Sequence, residues 1–278
     1  MEKISVFLAD WQVLFREGIH FTLSGEEDIE VIGEATNNEE ALNFIETNPP
    51  RVAVLNMDHD KLSGADATRR IKRNFPSVSV ILVMDTEDEE YLFAAVKCGA
   101  STYVTKDIDP GDLVDLIRKV AQGAQPISEA LFNPEIASRV ISEFEVFASI
   151  SEQVENLFAH LSPSETDILR RIADGGSSEQ ITQALGIDKE AIGHHLELIL
   201  SKLVANDQRR ALLEAAQKGL PTIIPGIGKP PTEYVTKEEF DAFKESLGDR
   251  LKSIIGELGS RKGAIDEVPR KKVSGTRK

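Results

Sequence analysis

The chain has almost no cysteine and no long apolar run. Cys98 is the single cysteine of 278 residues, which excludes an intrachain disulfide and a cysteine-based zinc site. We expect Cys98 to act as a small buried hydrophobe. The N-terminus, MEKISVFLAD, has one lysine and too short an apolar run for a signal peptide. No apolar run of about eighteen residues occurs, so no membrane association is expected and a cytoplasmic protein is predicted.

Basic residues are also scarce. The net charge of −15 argues against a protein that coats nucleic acid indiscriminately, although a local basic face remains compatible with it. We found no nucleophile–base pair, no glycine-rich phosphate loop and no metal-binding cluster, so we expect neither an enzyme nor a cofactor.

The first 122 residues alternate short apolar runs with amphipathic stretches. The pattern predicts strands at 4–9, 29–34, 52–55, 78–83 and 102–104, and helices at 15–23, 38–47, 66–74, 89–98 and 110–122. Such alternation is typical of an α/β doubly wound parallel sheet, whose functional crevice lies at the carboxyl ends of the strands. The residues at those ends are Asp10, Trp11, Asn56, Met84 and Lys106.

Four segments at and around these ends resemble the receiver domain of response regulators. They are LAD (8–10), REGI (16–19), LSGADATRRIK (62–72) and CGASTYVTKD (98–107). The resemblance implies a CheY-like five-stranded domain over residues 1–122. It further implies an aspartate acceptor after the third strand, a magnesium ion on acidic residues, and a hydroxyl and a lysine that contact the phosphoryl group.

The sequence departs from that pattern inside the pocket. Asn56 stands at the acceptor position, Trp11 replaces one acidic residue, and Met84 replaces the Thr/Ser. An amide does not accept an acyl phosphate, the hard oxygen ligands that magnesium needs are reduced, and a thioether donates no hydrogen bond. We therefore predict a pseudo-receiver without phosphorylation, in which Tyr103 occupies the aromatic switch position.

Three alternatives apply to this pocket. Asp58 or Asp60 could replace the acceptor, but both are expected in the loop beyond the strand end. Asp10 and Lys106 could form a residual ion pair, which we favour. The pocket bordered by Trp11 and Met84 could instead take a small ligand or a partner side chain.

Residues 123–160 form a linker with apolar residues near helical spacing. The helix that this spacing predicts needs a partner surface, either in its own chain or in a second subunit. We favour a dimer contact. The apolar positions are Ile136, Val140, Ile141, Phe144, Phe147, Ile150, Val154, Leu157 and Phe158.

Residues 161–220 read as three short helices. Ser162 and Ser177 each precede Glu or Gln by three positions, which predicts two capping boxes. Gly186 predicts a turn, and Asp188 an N-cap for a third helix through 203. A second and a third helix joined at a glycine turn are typical of a helix-turn-helix.

This segment resembles the LuxR/NarL-type DNA-binding domain, and the resemblance implies that helix 188–203 enters the DNA major groove. The matching residues are Ala191, Ile192, His195, Ile199, Leu200, Lys202 and Leu203. The candidate DNA contacts are Lys189, His194, Glu197, Ser201, Lys202, Arg209 and Arg210.

The DNA-binding face is poorly charged. Residues 161–220 contain seven Lys/Arg and nine Asp/Glu, and Gly193 stands where the family commonly has lysine. Because phosphate contacts supply most non-specific affinity, we expect weak or conditional DNA binding. His195 is expected to be structural.

Residues 221–278 extend beyond the resemblance. Thr236 and Glu239 predict a capping box for a helix over 237–258, followed by a basic tail over 270–278. The apolar stripe of that helix predicts dimerisation through Phe240, Phe243, Leu247, Leu251, Ile254 and Leu258.

Together these features favour a homodimeric transcription regulator of the NarL/FixJ type that binds DNA without phosphoryl control. A protein partner or sensor kinase would then supply regulation. The alternative is an interaction protein in which both folds serve as docking surfaces and DNA binding is lost.

Overall fold

A single parallel sheet organises the N-terminal half of the chain. The structure, a computed structural model, describes residues 3–58, 62–151 and 157–217. The strand order is β2-β1-β3-β4-β5, which confirms the predicted doubly wound sheet. The strands are β1 (Ile4–Ala9), β2 (Ile29–Ala35), β3 (Val52–Asn56), β4 (Ser79–Met84) and β5 (Thr102–Thr105).

Five helices flank the sheet, and their ends lie within two residues of the predicted ones. Short polar side chains define where four of them begin. Asn37, Ser63, Asp88 and Asp109 each accept a hydrogen bond from a backbone N–H of the first turn. The helices are α1 (Val13–Ser24), α2 (Asn38–Thr47), α3 (Gly64–Asn74), α4 (Glu89–Cys98) and α5 (Pro110–Ala121).

The two faces of the sheet build two apolar cores. Successive side chains of a strand point to opposite faces, so Val6 and Leu8 pack with α1 and α5 while Phe7 packs on the other side. The core on the Phe7 side of the sheet also includes apolar residues of the C-terminal helices of the described chain. The receiver fold and these helices therefore share one apolar interior.

The linker turns its apolar stripe inward. It forms a 3-10 helix (Pro126–Phe132) and then α6 (Pro134–Ser151). Val140, Phe144 and Phe147 are buried within the chain, and the ring of Phe147 stacks on that of Phe158 with centroids 5.1 Å apart. The favoured dimer contact at these residues is therefore wrong, because the same chain already covers them.

Three helices follow: α7 (Pro163–Ala173), α8 (Ser178–Leu185) and α9 (Lys189–Gln217). Both predicted capping boxes are present, at Ser162 and at Ser177. Gly186 has a φ of 66°, in the left-handed region that favours glycine, and it ends α8 as predicted.

The third of these helices is longer than predicted. The sequence predicts an end near residue 203, whereas α9 runs unbroken for 29 residues to Gln217. Residues 204–217 contain no glycine or proline and are rich in strong helix formers. The Asn206 amide also pairs with both backbone groups of Ala159, at 2.8 and 2.9 Å, which fixes this part of α9.

The predicted helix 237–258 and the basic tail lie outside the described residues. Within the described part of the chain, no helix combines the length and the apolar character needed to cross a membrane.

We predict that Phe147→Ala destabilises the protein by about 3–5 kcal/mol, because it removes a fully buried ring and leaves a cavity. Urea unfolding followed by circular dichroism measures this change. The matched control is Phe21→Ala, since Phe21 is 84% exposed and should change stability by less than about 0.5 kcal/mol. Equal effects of the two substitutions would contradict the packing of α6.

Candidate functional site

Side chains at the carboxyl ends of β1, β3 and β5 meet around one carboxylate. Asp10 follows β1 and is 4% exposed. Its Oδ2 accepts a hydrogen bond from Asn56 Nδ2 at 2.8 Å, and Lys106 Nζ lies 3.2 Å from the same oxygen. The favoured ion pair between Asp10 and Lys106 is therefore present, and the Asn56 amide satisfies the same carboxylate.

Lys106 has further partners on the solvent side. Its Nζ lies 2.6 Å from Asp85 Oδ1 and 5.3 Å from the ring centroid of Trp11. A second ring, that of Phe15, lies 5.5 Å away. Two carboxylates and two aromatic rings thus fix the ammonium in the pocket.

The donor set does not fit the magnesium ion of a receiver. Asp10 already binds an amide and an ammonium, and Trp11 supplies no oxygen ligand. Asn56 Oδ1 is buried and has no hydrogen-bond partner among the described residues, but an amide oxygen carries no formal charge. Met84 is 1% exposed and offers no hydroxyl. The pocket therefore lacks an acyl-phosphate acceptor at Asn56 and the ligands for the metal that would assist it.

The structure describes one of the two alternative acceptors, Asp58. Asp58 follows β3 and accepts a hydrogen bond from the Tyr91 hydroxyl, which raises the pKa of Tyr91. Asp60 lies outside the described residues.

The cavity that Met84 borders, of about 670 Å³, is also lined by Tyr103 and Leu92, and Trp11 is not part of its wall. The pair Trp11 and Met84 therefore does not line that cavity together.

Tyr103 lies on β5, half-buried at the edge of that cavity. Burial, together with the nearby Glu87 carboxylate, raises the pKa of its hydroxyl. The hydroxyl therefore stays protonated at neutral pH.

Two residues that sequence reasoning did not select brace the pocket. Arg16 donates to the backbone oxygen of Asp10 at 2.7 Å and to Glu34 at 2.9 Å. Burial opposes ionisation of Glu34, but hydrogen bonds from His20 and Arg16 hold its pKa below the ordinary value. Asn38 donates to the backbone oxygens of Asn56 and Leu62, both at 2.9 Å. The REGI segment contained a signal for Arg16, whereas no pattern pointed to Asn38.

The helix-turn-helix has the predicted cap at Asp188, but Lys202, a predicted DNA contact, forms an ion pair inside the domain. Asp188 caps α9 through a hydrogen bond of 2.7 Å from Ala191 N. Lys202 lies 2.6 Å from the buried Glu165 of α7. Burial disfavours the Glu165 carboxylate, yet hydrogen bonds from Lys202 and from Ser162 hold its pKa below the ordinary value. Lys202 therefore stabilises the fold of this unit.

The other candidate DNA contacts divide into two groups. Lys189, His194 and Arg209 are exposed to solvent. Glu197 and Ser201 are also exposed, but both border a cavity whose opposite wall belongs to the receiver fold. His195 is half-buried, and its Nδ1 has no hydrogen-bond partner among the described residues.

A cluster of charges joins α9 to the receiver fold. Asp207 is 5% exposed, and its carboxylate lies 2.5 Å from Arg69 Nε of α3 and 3.7 Å from Lys97 Nζ of α4. Lys97 also binds Glu143 of α6, which in turn lies 3.3 Å from Arg210. Sequence reasoning missed Asp207 and Arg69, because nothing local marks a pair so far apart in the chain.

The six residues proposed for dimerisation, Phe240, Phe243, Leu247, Leu251, Ile254 and Leu258, lie outside the described residues. Within the described residues, no group of three His, Cys, Asp or Glu side chains could hold a metal ion.

Comparison with known proteins agrees with the two folds. Residues 6–118 match the response regulator receiver domain, and residues 159–215 match the luxR family of bacterial regulatory proteins. The transcriptional regulatory protein YxjL of Bacillus subtilis (strain 168), described as uncharacterized, is 30% identical over 79% of this chain and 98% of its own length.

Two further relatives cover nearly their whole length. The transcriptional regulatory protein DegU of Brevibacillus brevis is 28% identical over 78% of this chain and 94% of its own length. The response regulator protein VraR of Staphylococcus epidermidis is 29% identical over 78% of this chain and 98% of its own length. The chain therefore belongs to the response regulators in which a receiver domain is followed by a domain of the luxR family.

Proposed function

We propose that this protein is a transcription regulator that binds DNA through α9 and acts without phosphorylation of an aspartate. One observation carries the proposal. Asn56, at the acceptor position, uses its amide to satisfy Asp10, in a chain that keeps a complete helix-turn-helix. A receiver with this pocket supports a regulator whose input is a protein partner, a sensor kinase or a ligand.

The charge of the DNA-binding unit sets what kind of binding is expected. Exposed Lys189 and Arg209 supply phosphate contacts, whereas Lys202 and Arg210 are engaged by Glu165 and Glu143. Few phosphate contacts mean low non-specific affinity, so base contacts must contribute a large share of the binding energy.

The described arrangement also limits access to α9. Glu197 and Ser201 border the cavity against the receiver fold, and Asp207 is bound by Arg69 and Lys97. We infer that α9 must separate from the receiver before it enters a major groove. Control of that separation would replace phosphorylation as the regulatory step.

One observation favours the second candidate, an interaction protein without DNA binding. Of the basic residues proposed to contact DNA, Lys202 and Arg210 form ion pairs within the chain. Only a direct measurement of DNA binding separates the two functions.

We predict that the purified full-length protein enriches a defined sequence from a genomic fragment pool without a phosphodonor. Lys189→Ala and Arg209→Ala should each weaken binding to that sequence and reduce the slope of log K against log salt by about 1, because each removes one phosphate contact. Lys119→Ala, at an exposed lysine of α5, is the control that should leave the slope unchanged. Absence of any enriched sequence would reject the first function.

We predict that Asp207→Asn raises the DNA affinity of the full chain by at least about tenfold. This corresponds to a loss of about 1.4 kcal/mol from the free energy that holds α9 against the receiver. The substitution leaves Arg69 and Lys97 without their shared carboxylate, which weakens the contact between α9 and the receiver. Fluorescence anisotropy measures the affinity, and circular dichroism checks the fold. Asp115→Asn, at a side chain 68% exposed, is the matched control, and equal affinities of both variants would contradict closure by Asp207.

We predict that an acyl phosphate adds no phosphoryl group to the wild-type protein, as judged by intact mass. The triple variant Trp11→Asp, Asn56→Asp, Met84→Thr should gain one phosphoryl group, because it restores a second acidic ligand, the acceptor and the hydroxyl. The single variant Asn56→Asp should remain unmodified. A phosphorylated wild-type protein would show that another residue, such as Asp58, is the acceptor.

A further inference from the structure

A cavity of about 430 Å³ lies between the receiver fold and α9. Its receiver wall comes from α3, from the turn after α4 and from the segment after α5. Its opposite wall is one face of α9. The lining residues are Lys72, Gly99, Gly123, Gln125, Glu197, Leu200, Ser201, Val204, Ala205 and Gln208.

Lys72 is a half-buried cation without an anionic partner among the described residues. Its Nζ donates to the backbone oxygen of Val78 at 2.7 Å, and no described carboxylate lies within ion-pair distance. Burial lowers the pKa of Lys72 to about 8. Arg69, one turn earlier on α3, and Lys97 both bind carboxylates at the same interface. The fold has therefore partly desolvated one ammonium there and given it a carbonyl oxygen but no described carboxylate, so its charge is not neutralised.

Three uncharged donors face the same space. Gln125, Ser201 and Gln208 line the cavity, and their side chains have no hydrogen-bond partner within the described part of the chain. Each can donate to an oxygen acceptor, the two glutamines through NH₂ and the serine through its hydroxyl. Lys72 uses one of its three ammonium donors on Val78, so together these four residues offer donors that are not yet used within the described part of the chain.

Glu197 limits what can enter. Its carboxylate is exposed and borders the cavity from α9. A second negative charge on the ligand would be repelled, whereas an amino group would be attracted. A small monoanion avoids the repulsion by Glu197. A zwitterion with one carboxylate and one ammonium can contact Lys72 and Glu197 at the same time.

We propose that this cavity binds a small oxyanion, whose oxygens accept from Lys72, Gln125, Ser201 and Gln208. Because the donors come from both walls, the ligand binds only when α9 lies against the receiver. It therefore stabilises the closed arrangement and lowers DNA affinity. That last consequence rests on the proposed function, whereas binding itself does not.

Thermal unfolding of the full-length chain at pH 7 tests the site, with acetate, inorganic phosphate and glycine as probes against chloride at equal ionic strength. We expect at least one probe to raise Tm by about 2–4 °C in the wild type. Lys72→Met should remove the response, whereas Lys119→Met, at an exposed lysine of α5, should keep it. A response to acetate or glycine assigns a carboxylate, and a response to phosphate alone assigns a phosphate.

The pH dependence supplies a second readout that does not depend on a variant. The folded pKa of Lys72 lies below its ordinary value, so the ammonium is present below about pH 8 and is lost above it. The effect of the probe on Tm should therefore be full at pH 7 and should decline as the pH rises above about 8. In chloride alone, Lys72→Met should be more stable than the wild type at pH 7, since it removes an uncompensated charge.

Two results would overturn the proposal. Either no probe raises Tm beyond chloride, or the wild type and Lys72→Met respond equally. DNA binding is measured separately, and the effective probe should weaken it in the wild type and not in Lys72→Met. If the protein binds no DNA, the proposed function fails, and the thermal measurement still decides whether the oxyanion site exists.

Discussion

The buried carboxylate of Asp207 fixes the arrangement of the described chain. A desolvated carboxylate is stable only beside cations, and Asp207 finds them in Arg69 and Lys97 of the receiver fold. Lys97 also binds Glu143, so the positions of α4, α6 and α9 depend on one another. Separation of α9 from the receiver therefore requires that several buried charges be rehydrated together. Under the proposed function, this coupling makes the arrangement with α9 against the receiver a distinct closed state.

The receiver pocket follows the same rule of internal charge balance. Asp10 is satisfied by the Asn56 amide and the Lys106 ammonium, both supplied by the chain. In a receiver that is phosphorylated, metal and phosphoryl groups change this balance and so provide energy for a conformational change. Under the proposed function this pocket offers no such step, because Asp10 is already bound by Asn56 and Lys106. Under the proposed function, regulation depends on the contacts of α9, and Lys72 lines the cavity between α9 and the receiver fold.

Much of the fold could be read from local patterns. Fully buried strands such as β3 and β4 are continuous apolar runs, and the capping residues Ser162 and Ser177 mark helix starts without any long-range information. Two predictions, the partner surface of α6 and the end of α9, were wrong because no local sequence signal marks either feature. The apolar stripe of α6 required a partner but did not identify it, and α9 continued past Leu203 because nothing in residues 204–217 stops a helix.

The sequence by itself determined the sheet, most helix ends and the chemistry at the strand ends, because these depend on periodicity, capping and the identity of single side chains. Asn56 has an amide in any fold. Only the tertiary structure decided which charges are paired. Arg69 and Asp207 are 138 positions apart, Lys202 is bound by Glu165 rather than left free, and Lys72 lies half-buried beside a cavity. Which charged side chains pair depends on their distance and burial in the folded chain, and neither produces a periodic pattern in the sequence.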